Sequence, residues 1–170
     1  MFQRKKRGVT LIELCFGMTI VAVLAGLAAP GFRSSLRVAA VRAATFELLA
    51  GLQQTRGNSI VESRPGSLCP SDAAGSCLPP AASARFWRAS LEPDEGSASE
   101  TAVPPDSHTL PTGIVVRASR SPLKFWPDSR GATTGTLTIC DALGVAPPRA
   151  IVLSLSGRAR IAAAAESACH

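Results

Sequence analysis

The feature that most restricts this chain is an uncharged run, Leu14 to Phe32, set a few residues behind the basic cluster Arg4-Lys5-Lys6-Arg7. As a helix, its nineteen residues would be about 28 Å long at ~1.5 Å each, close to the ~30 Å hydrocarbon core of a bilayer. Basic residues beside an apolar span stay on the cytoplasmic side, so the N-terminus is expected in the cytoplasm and the chain beyond Phe32 outside it. An ordinary secretory signal would end in a small-residue cleavage site behind its apolar stretch. Ala28-Ala29-Pro30 matches that only faintly. Gly17, Gly26, Pro30 and Gly31 interrupt the run, as membrane helices tolerate, and Pro30 marks either a local kink or the exit from the bilayer.

Glu13, just before the run, is the odd residue. A carboxylate in a membrane helix costs on the order of 2.5–3.5 kcal/mol on insertion scales. It therefore either meets a cationic partner or snorkels to the interface.

The rest of the chain has room for one compact domain. The formal net charge is +6, but the four cations Arg4–Arg7 carry most of it and without them +2 remains. A strongly basic nucleic-acid-binding domain spreads its excess throughout, so this head can attract a polyanion only through a local patch. Cys69, Cys77, Cys140 and Cys169 all lie beyond the apolar run, whereas Cys15 lies inside it. Cysteines on the exported side have an oxidising compartment in which to pair.

Past Phe32, Val38, Val41, Thr45, Leu48, Leu49 and Leu52 recur at helical spacing among charged residues. The helix is expected to leave the membrane as an amphipathic stem, over residues 33–63, and to stop before Pro65-Gly66. Short β-like runs then follow at Ser67–Cys69, Ala84–Arg88, Gly113–Ala118, Leu123–Phe125, Gly135–Cys140 and Ala150–Leu155. Leu78–Ala84 and the acidic, Ser- and Pro-rich Glu92–Thr112 are expected to be loops. The predicted class is α+β: one long helix packed on a mainly antiparallel β head spanning residues 64–170.

Arg7-Gly8-Val9-Thr10-Leu11-Ile12-Glu13-Leu14 resembles the class III signal of type IV prepilins and pseudopilins. That resemblance implies a leader of residues 1–8, a transmembrane and assembly helix of residues 9–32, cleavage by prepilin peptidase between Gly8 and Val9, and N-methylation of Val9. It also gives Glu13 an assembly role, pairing with the free N-terminal amine of a neighbouring subunit. The expected location is the inner membrane, single-pass with a periplasmic head, and after processing a pilus or pseudopilus built with other pilins.

The head resembles the FimT/GspH family of minor pilins and type II secretion pseudopilins. Ser67-Leu68-Cys69-Pro70 with Cys77, Phe125-x-Pro127-x-x-x-Gly131, and Gly135-Thr136-Leu137-Thr138-Ile139-Cys140 carry the likeness. Gly157-Arg158-Ala159-Arg160 looks like the DNA-contacting motif of the FimT branch in natural transformation, with Gly157 as the turn and Arg158 and Arg160 as phosphate contacts. Guanidinium groups suit that role, being planar donor forks that stay charged. In an extended segment these two would share a face, and Arg149, Arg120 and Lys124 are supporting cations. The alternative is a structural pilin or GspH-like pseudopilin acting at a filament tip without DNA. Cys69–Cys77 and Cys140–Cys169 are the expected bridges, although four cysteines allow three connectivities.

Other chemistry is poorly supported. Asp106-Ser107-His108 has hydrolytic residue types, but adjacency in sequence does not make a triad. His108, His170 and the cysteine spacings do not suit zinc, and no Gly-rich phosphate loop is present. No enzymatic activity, metal or cofactor is expected. Arg85-Phe86-Trp87-Arg88 interleaves aromatic and basic groups as single-strand platforms do, or is a strand with one buried ring.

Overall fold

The computed structural model describes residues 10–92, 106–128 and 131–169, with the backbone alone at 27–30 and 106. Gly8 and Val9 lie outside the described residues. Helix α1 runs Leu11–Val61. It begins with a reciprocal cap: the Glu13 N–H donates to Thr10 Oγ1 at 3.3 Å and the Thr10 N–H donates to the Glu13 carboxylate at 3.5 Å. Two orphan donors of the first turn are satisfied this way, so in the free subunit Glu13 is engaged locally.

Contacts divide the chain into a first unit ending at Leu36 and a second, Arg37–His170. In the first, Leu11, Phe16, Ile20, Val21 and Leu24 are exposed around the helix, the pattern of a helix whose solvent is lipid or other helices. No single helix among the described residues is long and apolar enough to cross a membrane; Leu11–Gly26 and Gly31–Val61 together are, by length and composition.

In the second unit, one face of the stem is buried: Val41, Ala44, Thr45, Leu48, Leu52, Thr55 and Ser59. Their three- and four-residue spacing is that of a helix laid on a core. The hydroxyls on this stripe are satisfied internally, Thr45 and Thr55 donating to the carbonyls of Val41 and Gly51 at 2.7 Å. Val38 and Leu49 pack at its margin.

Eight strands follow: β1 (Gly66–Ser71), β2 (Phe86–Leu91), β3 (Asp106–Thr109), β4 (Ile114–Ala118), β5 (Leu123–Phe125), β6 (Gly135–Asp141), β7 (Arg149–Leu153) and β8 (Ala159–Ala163). They form two four-stranded sheets, β3-β2-β1-β5 and β4-β6-β7-β8. Every pairing is antiparallel. Leu68, Trp87, Val116, Leu123, Phe125, Leu137, Ile139 and Ile151 join the helix stripe in one core. Each such aliphatic or aromatic burial contributes roughly 1.5–3 kcal/mol.

Two strands depart from the sequence reading. β3 forms inside the expected loop Glu92–Thr112, and His108 stacks on Trp87 with ring centroids 4.2 Å apart. That geometry ties His108 to packing rather than to a hydrolytic triad. β8, with Ala-Arg-Ile-Ala-Ala, has too few bulky residues to show a strand period, yet it pairs along its length with β7. The Arg85–Arg88 platform is also corrected, because Trp87 is buried in the core with its Nε1 on Glu47 at 3.2 Å and Arg88 donates to the Gly75 carbonyl. Trp87 is therefore closed to a base, and the run is a strand with one buried ring.

An ion pair between partly exposed Arg37 and buried Asp141 fastens the stem to the second sheet. Asp141 takes the Arg37 guanidinium and the N–H groups of Leu143, Val145 and Ala146. Arg37 also donates to the carbonyls of Thr112 and Gly113 at 2.9 and 3.1 Å. Burial pushes the Asp141 carboxyl up, but the hydrogen bonds from Arg37, Leu143 and Ala146 outweigh it and hold the group below its ordinary value.

The sulfurs of Cys69 and Cys77 are joined, as are those of Cys140 and Cys169. The second bridge pins the 3-10 turn Glu166–Cys169 to β6.

Candidate nucleic-acid interface

The β7–β8 hairpin presents the two arginines. Leu153 and Ala159 pair across it, and Val152 pairs with Arg160. Leu153 is buried and Ala159 packs against the core. Strand alternation then turns Arg160, and Arg158 one step before the strand, away from the core. Both are exposed, and among the described residues neither guanidinium has a hydrogen-bond or ion-pair partner.

The turn is fixed by backbone contacts. Gly157 N–H donates to the Ser154 carbonyl at 2.9 Å, and the Ser154 N–H and Oγ both donate to the Arg158 carbonyl at 3.1 Å. Gly157 has φ +75°, a left-handed conformation costing other residues about 1–2 kcal/mol. A Cβ there would sit 3.1 Å from Arg56 Nε. The turn is anchored from its far side by Gly131: the Ala132 N–H donates to the Leu155 carbonyl at 2.8 Å, and a Cβ on Gly131 would lie 2.1 Å from that oxygen. The Phe125-x-Pro127-x-x-x-Gly131 motif thus seats the segment that carries Arg158.

The supporting cations are not all gathered here. Lys124, on β5, is drawn into an ion pair with Glu92. Arg149 pairs with Ile139 and Ala163 and so shares the face of Ile151 and Leu153, opposite to that of Arg160. Arg120 is exposed just past β4. β4 and β8 are the two edges of their sheet, so about 14 Å of sheet separates Arg120 from the pair, at ~4.8 Å per strand.

Arg56 was missed by sequence reasoning. It projects from the stem and donates to the Gly157 carbonyl at 3.1 Å. A groove of about 370 Å³ lies between stem and hairpin, bordered by Arg56 and Arg158 among others. The only available signal was an arginine near the end of a predicted helix, and nothing in the sequence pointed it at residue 157. No group of three or more metal-ligating side chains occurs among the described residues.

A long apolar-to-amphipathic helix followed by antiparallel β sheets defines a pilin-type subunit. Comparison with known proteins gives the same class. Residues 3–29 match the prokaryotic N-terminal methylation motif, and residues 44–157 match the family described as type II transport protein GspH. The chain belongs to that GspH family of minor pilins and pseudopilins. Two crystal forms of the Pseudomonas aeruginosa PAO1 type IV minor pilin FimU are similar in structure. In the first, the identity is 18% and the TM-score 0.52, covering 76% of this chain and 99% of the other. In the second, the identity is 17% and the TM-score 0.49, covering 76% and 95%. No curated protein matches in sequence. The family is one of structural pilins, and membership with the methylation motif implies a membrane-anchored pilus or pseudopilus component, prepilin peptidase processing and contact with other pilins.

Proposed function

We propose that this minor pilin binds DNA through Arg158 and Arg160 and contributes to DNA uptake in natural transformation. The observation that carries the reading is a pair of exposed guanidiniums on a rigid hairpin with no acidic partner among the described residues. Such donors engage phosphates whatever the base sequence, so binding is expected to be sequence-independent. Two phosphate contacts give a weak site, and several heads on one filament raise avidity without new contacts. The same reading assigns cleavage between Gly8 and Val9, methylation of Val9, an assembly role for Glu13, and an inner-membrane anchor with the head in the periplasm.

A scaffold role in secretion or pilus assembly is the competing reading. It is favoured by the extent of the GspH match, which ends at Gly157, just before both arginines. The test is fluorescence anisotropy with labelled duplex, using the chain from Val9 onward in a neutral detergent. Arg158→Gln with Arg160→Gln should weaken binding strongly while leaving the circular dichroism spectrum unchanged. Unchanged binding by the folded double variant rejects the DNA reading and leaves the scaffold.

A further inference from the structure

We infer that the DNA path continues from the β7–β8 turn onto the stem helix, where Arg56 supplies a third phosphate contact; this rests on the DNA reading above. Arg56 and Arg158 border one groove of about 370 Å³, and no acidic residue borders it among the described residues. Two like charges facing one groove without a carboxylate form a site that attracts anions.

Arg56 is exposed, and one of its N–H donors is spent on the Gly157 carbonyl. A guanidinium has five N–H donors. The bond to Gly157 fixes the fork beside the turn while the remaining donors face outward, a preorganised arrangement for phosphate. Leu52, Ile60 and Ala159 supply apolar wall against which sugars can rest. The cations then follow one another around the edge of β8, from Arg160 through Arg158 to Arg56.

The experiment is a salt titration of DNA affinity with the chain from Val9 onward in neutral detergent. Each neutralised phosphate contributes about 0.9 to the slope of log K against log salt for duplex DNA. Arg56→Gln keeps a donor for the Gly157 carbonyl and removes the charge, so the slope should flatten by about 0.9. Gln53 borders the same groove and is exposed. Gln53→Arg should steepen the slope by a similar amount, and it remains informative should Arg56→Gln fail to fold. If Arg56→Gln weakens binding at unchanged slope, Arg56 only positions the turn and the inference is overturned. It is also overturned if neither variant changes the slope while Arg158→Gln with Arg160→Gln flattens it by about 1.8; the two-arginine reading then stands alone. If that double variant binds like the parent, the DNA reading itself falls.

Discussion

Substituting alanine at Gly157 and at Gly131 separates backbone strain from close approach. The two glycines have nearly the same φ, +75° and +79°, so the left-handed penalty of about 1–2 kcal/mol is common to both. They differ in what a Cβ would meet. At Gly157 it is the exposed Arg56 side chain at 3.1 Å, which needs to give by only a few tenths of an ångström and can keep its bond to the Gly157 carbonyl. That adds a few tenths of a kcal/mol at most, for a total of about 2 kcal/mol. At Gly131 the new methyl would lie 2.1 Å from the Leu155 carbonyl oxygen, so backbone must move and the hydrogen bond from Ala132 must break. Adding about 1–2 kcal/mol for that bond and its displaced carbonyl brings Gly131→Ala to about 2–4 kcal/mol. Urea unfolding with linear extrapolation resolves a gap of about 1 kcal/mol when both variants share one m-value. Gly131→Ala should also weaken DNA binding, because it displaces the turn before Arg158. Equal destabilisation, or a larger loss at Gly157, would refute the assignment of Gly131 as the seat of the turn.

Acid unfolding tests the Arg37–Asp141 clamp. The Asp141 carboxyl is held below its ordinary value in the folded chain, so its contribution is fully present above that value and is lost as pH falls through the lowered one. Asp141→Asn should lower stability at neutral pH and flatten the acid limb of a urea-midpoint profile; an unaltered acid limb would contradict the clamp. The two disulfides should rank by the loop each closes. With sequence separations of 29 and 8, replacing both cysteines by serine should cost about 3.5 kcal/mol for Cys140–Cys169 and about 2.5 for Cys69–Cys77. Amide exchange should loosen the turn Glu166–Cys169 first in the former variant, and the reverse ranking in denaturation would count against the chain-entropy account.

Much of this architecture was legible from local pattern. The stem face Val41, Thr45, Leu48 and Leu52 is buried as its helical period requires, and β5 occupies the expected Leu123–Phe125. These elements combine apolar periodicity with clear breakers, so local and tertiary preferences agree. β3 and β8 were illegible for the opposite reason. Asp-Ser-His-Thr and Ala-Arg-Ile-Ala-Ala have little apolar alternation of their own, and each forms because a neighbouring strand offers a free edge. The site divides in the same way. Arg158 and Arg160 stand next to a turn glycine and could be read in line, whereas the roles of Lys124, Arg149 and Arg56 depend on what the fold brings to them. Lys124 is occupied by Glu92, Arg149 lies on the other sheet face from Arg160, and Arg56 meets a carbonyl 101 residues away.

The most direct measurement of the central claim is the difference in salt slope between the parent chain from Val9 onward and Arg158→Gln with Arg160→Gln, on the same duplex in neutral detergent. Loss of two phosphate contacts predicts slopes differing by about 1.8, with affinity falling at every salt concentration. Superimposable titrations from two equally folded proteins would contradict it.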